Sequence, residues 1–184
     1  KMGFKIAIRT GYEADDMVAS IAKDAKEKGF EVRIVSHDKD LYQLIDDANS
    51  VYLFDPTKKQ IINEAKCIEK YGVTPKQFID YQALVGDTAD NIPGVKGVGA
   101  KTAQTLIEQF GTLENIYENI ENIDKKRTKE LLIEGKENAF LSKQLVTLKD
   151  DCHFISNIDE FSLPSENPIL KIASDLESYD MHRI

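Results

Sequence analysis

The chain has 184 residues, with 24 Lys plus Arg against 32 Asp plus Glu and a formal net charge of −8. That length suits one domain, or one and a fragment, and 41% hydrophobic with 30% charged residues and five Pro excludes a collagen-like or wholly disordered chain. The apolar runs fall far short of the ~20 residues of a membrane span, so a soluble chain is expected. The acidic balance argues against coating nucleic acid by bulk charge and leaves a local grip on phosphate open.

In chain order, Lys5 to Arg9 reads as a first short strand. Asp15 to Lys28 then carries Val18, Ile21, Ala22 and Ala25 at helical spacing until Gly29 stops it. A strand follows over Glu31 to Ser36, a helical stretch around Leu41 to Ile45, and a third strand over Val51 to Phe54, closed by the turn pair Asp55-Pro56. This alternation predicts an α/β fold: a partial parallel sheet with flanking helices.

From Thr74-Pro75, a cap followed by Pro at the first helical position, helices take over. They are expected over Phe78 to Val85, Ala103 to Phe110, Leu113 to Tyr117, Lys125 to Ile133 and Lys136 to Leu148, with a last one starting near Pro168-Ile169-Leu170. The predicted division is a metal-binding α/β core over 1–73, a helical subdomain over 74–160 and an exit linker over 161–184. Cys67 and Cys152 have no Cys or His at ligand spacing, so both read as reduced, buried thiols.

Three acidic clusters punctuate this pattern: Glu13, Asp15 and Asp16 at the start of the first helix, Asp38 and Asp40 after the second strand, and Asp87 and Asp90 in Gly86-Asp87-Thr88-Ala89-Asp90-Asn91. Each alone is also what a helix cap or turn looks like. Collected at one sheet edge, such like charges repel strongly unless a cation sits among them. Oxygen ligands without Cys point to Mg²⁺, with Mn²⁺ substituting, and away from zinc. Two such ions ~3.5–4 Å apart suit phosphodiester hydrolysis. His37 is read as a neighbour of the cluster.

Gly94, Gly97 and Gly99 precede a helix whose Ala103, Leu106, Ile107 and Phe110 form one apolar face. A Walker loop fails by one residue, because Ala100 precedes Lys101-Thr102. A helix-hairpin-helix motif fits better: its amides, with Lys96, Lys101 and Thr102, would hold a DNA phosphate without reading sequence. The run Lys125, Lys126, Arg127 and Lys129 reads either as a solvated face or as a further nucleic-acid contact.

Glu-Ala-Asp-Asp, Asp-Lys-Asp and Gly-Asp-Thr-Ala-Asp-Asn-Ile-Pro-Gly-Val-Lys-Gly-Val-Gly-Ala-Lys-Thr-Ala, in this order, resemble the 5′-nuclease domain family of bacterial DNA polymerase I, within the flap endonuclease superfamily and its PIN-like fold. The resemblance covers residues 1 to about 155. It implies that Glu13, Asp15, Asp16, Asp38, Asp40, Asp87 and Asp90 hold two divalent ions, with Asp15 and Asp40 central to catalysis. It also implies that the hairpin over 94–102 grips duplex DNA through a phosphate and a K⁺ ion.

The implied activity is Mg²⁺-dependent hydrolysis of 5′ flaps and RNA primers in replication and repair. Branched or nicked duplex DNA, RNA primers and the polymerase domains of one parent chain would be partners, in the cytoplasm at the bacterial nucleoid and with no membrane. Family members carry a further N-terminal segment with two more metal-binding Asp residues and a helical arch, so a chain opening at Lys1 is expected to be a carboxyl-terminal part that binds better than it cuts. The competing readings are a non-catalytic duplex-binding fragment with an incomplete metal site and, more distantly, an acidic-site phosphatase.

Overall fold

The computed structural model describes residues 4–152, 161–162, 167–168 and 172–179. Helix α1 (Ala14–Glu27) buries Met17, Ala19, Ala22 and Ala25 and leads to strand β1 (Val32–Val35). Strands β2 (Val51–Asp55) and β3 (Gln60–Ile62) complete a three-stranded sheet of order β1-β2-β3. β1 pairs parallel with β2, Val32 opposite Val51, and β2 pairs antiparallel with β3, Leu53 opposite Ile62.

Three sequence expectations change. Lys5 to Arg9 forms no strand: Ile6 and Ile8 are exposed, and without a partner ladder an apolar alternation has nothing to pair with. Strand β3 is antiparallel and too short to show an alternation, so the sheet is mixed, not purely parallel. The link between β1 and β2 contains 3₁₀ turns at Asp40–Leu44 and Asp47–Asn49 where a helix was expected around Leu41 to Ile45. A further helix, α2 (Glu64–Tyr71), escaped the sequence reading. Asn63 caps it by accepting the Lys66 amide, and Gly72 ends it in the left-handed conformation.

Helix α3 (Pro75–Val85) opens on the Thr74–Gln77 capping box and is the central post, burying Phe78, Tyr81, Ala83 and Leu84. Helices α4 (Ala100–Phe110), α5 (Leu113–Glu118) and α7 (Lys136–Val146) pack around it, and α6 (Lys126–Glu134) packs on α7. A short helix α8 (Ala173–Glu177) is described near the end; Ile169 and Leu170, where a start was expected, lie outside the described residues.

Tyr42, Tyr71, Phe78 and Tyr81 pack ring against ring, mostly edge-on or tilted, at centroid distances of 4.8–6.0 Å, locking the 3₁₀ turn after β1 onto α2 and α3. Cys67 and Cys152 are both free and buried, and burial pushes the Cys67 thiol up to about 11. Among the described residues, no helix is long and apolar enough to cross a membrane.

Candidate metal centre and nucleic-acid interface

Three local devices present the carboxylates. At the start of α1, Glu13 is the N-cap and the Asp16 carboxylate accepts the Glu13 amide at 3.2 Å. Asp15 thereby sits in the first helical turn. After β1, the Asp40 amide donates to Asp38 Oδ1 at 3.0 Å, folding Asp38 and Asp40 into one turn. In the third cluster Asp87 and Ile92 exchange both backbone hydrogen bonds, 2.9 and 2.7 Å, while Asn91 takes a positive φ of 57°. That closed loop carries Asp87 and Asp90.

Oxygens of Asp40, Asp87 and Asp90 lie within 4.8 Å of one another. Burial, then the charges of Asp38 and Asp40, then those of Glu13 and Asp16, raise the Asp15 carboxyl above the ordinary aspartate range. Burial also raises Asp40, helped by Asp38 and Asp87 and opposed by the hydrogen bond from Gln82. Asp90 is raised by its hydrogen bond with Asp87 and by that residue's charge. Asp87 moves the other way: burial is outweighed by its pairing with Lys39 and by the Ala89 amide. Asp15, Asp38, Asp40, Asp87 and Asp90 thus form one electrostatic unit. Glu13 and Asp16 stand at its margin, and Asp16 Oδ1 also accepts the Lys149 amide at 2.8 Å.

Two further residues belong to this unit. Lys39 pairs with the buried Asp87, and Gln82, 3% exposed, donates to Asp40 Oδ1. The Gln82 Oε1 is buried with no hydrogen-bond partner among the described residues. An orphaned amide oxygen beside mutually repelling carboxylates fits hard divalent cations, and every donor in the set is oxygen. Nothing in the sequence pattern singles out Gln82, because its neighbours in α3 are core residues.

The glycine hairpin joins α3 to α4. Lys96, Gly97, Gly99 and Lys101 are exposed and Thr102 is half-buried, while Val95 and Val98 anchor the turn in the core. Gly99 is the N-cap of α4 with no side-chain cap, so the first-turn amides of an 11-residue helix face outward at the hairpin. Gly94 is placed differently from the grouping expected on sequence: it is buried, and its amide donates to Ser142 Oγ at 2.9 Å. It closes the acidic loop, and its amide is committed inside the fold.

A cavity of about 300 Å³ beside the hairpin is lined by Lys101, Thr102, Thr105, Lys125 and Thr128, and one of about 440 Å³ by Lys96, Gly97 and Arg127. Part of the basic run therefore adjoins the hairpin. Lys129, by contrast, pairs with Glu121.

The described residues thus set an acidic edge on a small α/β core beside helices that carry an exposed glycine hairpin. Residues 1–72 match the N-terminal resolvase-like domain of the 5′-3′ exonucleases and residues 73–168 their C-terminal SAM fold, and the chain belongs to that family. DNA polymerase I of Deinococcus radiodurans is 39% identical over 184 residues, covering 98% of this chain and 19% of that protein. DNA polymerase I of Helicobacter pylori strain J99 is 44% identical, covering 97% and 20%. The chain thus spans about a fifth of the length of these relatives.

A structure of T5 5′-exonuclease with bound divalent metal ions (zinc) superposes with a TM-score of 0.70 at 29% identity, covering 94% of this chain and 61% of that one. A bacteriophage T5 flap endonuclease in a pseudo-enzyme-product complex with DNA and metal ions gives 0.70 at 28% identity, with the same coverage.

Proposed function

We propose that the chain works as part of a Mg²⁺-dependent 5′-3′ exonuclease and flap endonuclease of a DNA polymerase I, hydrolysing phosphodiesters of 5′ flaps and RNA primers in replication and repair. The carrying observation is the meeting of oxygens of Asp40, Asp87 and Asp90 within 4.8 Å, with Asp15 near enough for the charges of Asp38 and Asp40 to raise its carboxyl. In this reading Asp15 and Asp40 are the catalytic carboxylates, and Glu13, Asp16, Asp38, Asp87 and Asp90 complete the metal set. Mn²⁺ would substitute for Mg²⁺. When bound, the ions supply an activated water and stabilise the leaving oxygen.

The chain's own residues do the holding. Gln82 orients Asp40, the Asp87–Ile92 bridge fixes Asp87 and Asp90, and the Asp16 carboxylate ties α1 to Lys149. Gly97, Gly99, Lys96, Lys101 and Thr102 would grip the sugar-phosphate backbone of a branched or nicked duplex, with K⁺ as a bridging ion, while Gly94 sets the hairpin's base. The working division is a nuclease core over 1–73, a DNA-binding subdomain over 74–160 and a connection over 161–184 toward polymerase domains. The bacterial nucleoid would be the place of action.

The test is single-turnover cleavage of a labelled 5′ flap with Mg²⁺ or EDTA, run on this chain and on the full-length product of its gene. Metal-dependent cutting that Asp40→Asn abolishes is expected, faster from any longer product. Duplex binding without metal-dependent cutting by either polypeptide would overturn the reading in favour of a non-catalytic binding module.

A further inference from the structure

A further cavity, of about 430 Å³, opens beside the metal-site segment. Ser36, His37 and Tyr42 line it, and these residues bracket Asp38 and Asp40 in the chain. Its opposite wall brings Lys58 from the β2–β3 turn and Lys66 and Lys70 from α2. These lysines converge on one cavity. Among the described residues, none of the three forms an ion pair, whereas Lys23, Lys26, Lys39, Lys129 and Lys143 each meet a carboxylate.

Two of the three ammonium groups are nevertheless held in place. Lys70 Nζ donates to the Tyr42 hydroxyl at 3.3 Å and lies 5.0 and 4.7 Å from the ring centroids of Tyr42 and Tyr71. Lys66 Nζ donates to Gln60 Oε1 at 2.9 Å. Neutral oxygens and aromatic faces orient these cations without cancelling their charge. The anionic groups of the cavity are Asp55 and Glu69. Asp55 Oδ1 is engaged by the amides of Thr57 and Lys58, each at 2.9 Å, and faces His37 Nδ1 at 3.6 Å. Three lysines against two carboxylates leave a locally positive wall in a chain of net charge −8.

We infer that this cavity is a phosphate subsite, taking a non-scissile phosphate of the nucleic-acid strand that lies across the Asp38–Asp40 edge. The inference rests on reading that edge as the cutting site. Oriented ammonium groups without carboxylate partners recognise an oxyanion as point charges, and a volume of this order accommodates a nucleotide-sized group. Because the segment 36–42 lines both the cavity and the acidic cluster, a strand seated in one is held in register with the other.

The experiment measures binding of a 5′-phosphorylated single-stranded tetranucleotide and of inorganic phosphate to the full chain in EDTA, across a salt series. Lys66→Gln/Lys70→Gln should weaken the tetranucleotide about tenfold and lower its salt slope by ~0.7, the single-strand value for one lost phosphate contact. Lys58→Gln, an exposed residue in a turn, should weaken the tetranucleotide in the same direction and lower the slope by at most ~0.7, with no risk to folding. Mn²⁺ affinity measured on the same samples should not change. Parent-like tetranucleotide binding by both variants would overturn the subsite, and so would a cavity that responds to inorganic phosphate but not to the strand. A parent chain that binds no Mn²⁺ would overturn the nuclease reading and, with it, the strand assignment.

Discussion

Gly86 and Gly94 meet backbone against backbone: a Cβ added to Gly94 would lie 2.5 Å from the Gly86 nitrogen, and one added to Gly86 would lie 2.7 Å from the Ile92 carbonyl oxygen. Both also hold positive φ, 76° and 59°. Their contact pinches the base of the loop that presents Asp87 and Asp90. Gly94→Ala should therefore destabilise by at least about 2 kcal/mol, from left-handed strain plus a clash against main chain that cannot step aside. A urea midpoint that falls with an unchanged m-value checks it.

Asp38→Asn with Asp40→Asn should weaken Mn²⁺ binding without lowering stability. Asp40, like Asp15, titrates above its ordinary value because burial and like charges disfavour ionisation. Below the unfolded-state value both states are protonated. As pH rises through the raised folded value, the folded state gives up its proton less readily, so ionisation costs stability that is then missing at neutral pH. Neutral amides remove that cost. Calorimetric Mn²⁺ titration and a thermal melt at neutral pH check the pair, and a lower melting temperature would show these carboxylates to be structural.

At the hairpin, Lys101→Ala should weaken duplex binding about equally for all sequences and reduce the salt slope by ~1. Gly97→Val should do more damage, since Gly97 has φ 89° and a Cβ there would lie 3.1 Å from Leu131 Cδ1. Anisotropy titrations with duplexes of unrelated sequence, repeated at several salt concentrations, give both readings. Parent-like binding by both variants would reduce the hairpin to a helix connection.

Lys143 joins three helices, with its Nζ 2.6 Å from the buried Asp80 of α3 and 2.7 Å from Glu114 of α5. Lys143→Met leaves Asp80 buried without its cation and should cost about 3 kcal/mol. Adding Asp80→Asn should recover part of that loss. The hydrogen bond from Lys143 holds Glu114 below its ordinary 4.5. Glu114 therefore contributes stability above the unfolded value that disappears as pH falls through the folded one. Glu114→Gln should flatten the acid limb of melting temperature against pH; an unchanged limb would show the exposed pair to be energetically silent.

The helical half was legible because its periodicity, caps and Gly stops act locally, as at Thr74-Pro75 and Gly111. Lys5 to Arg9 misled because alternation marks a possible strand, while a strand exists only where another edge accepts its hydrogen bonds. Strand β3 and helix α2 are too short for periodicity to show, and the sequence cannot announce that Leu53 will face Ile62. The acidic residues of the site were readable as three clusters, yet their supports were not. Gln82 and Ser142 are polar side chains inside apolar helix faces, recognisable only once Asp40 and the Gly94 amide are in place beside them.

The Ser142–Gly94 hydrogen bond spans 48 residues, and the Lys149–Asp16 bond spans 133. During synthesis, the ribosome releases every carboxylate of the cluster well before it releases the groups that lock two of their supports. A nascent chain therefore carries its acidic edge as a loose collection of charges until α7 and the stretch after it have emerged. Order at this edge arrives with α7 and the stretch after it, so a premature stop within α7 would leave a polypeptide with every acidic residue and an unfastened site.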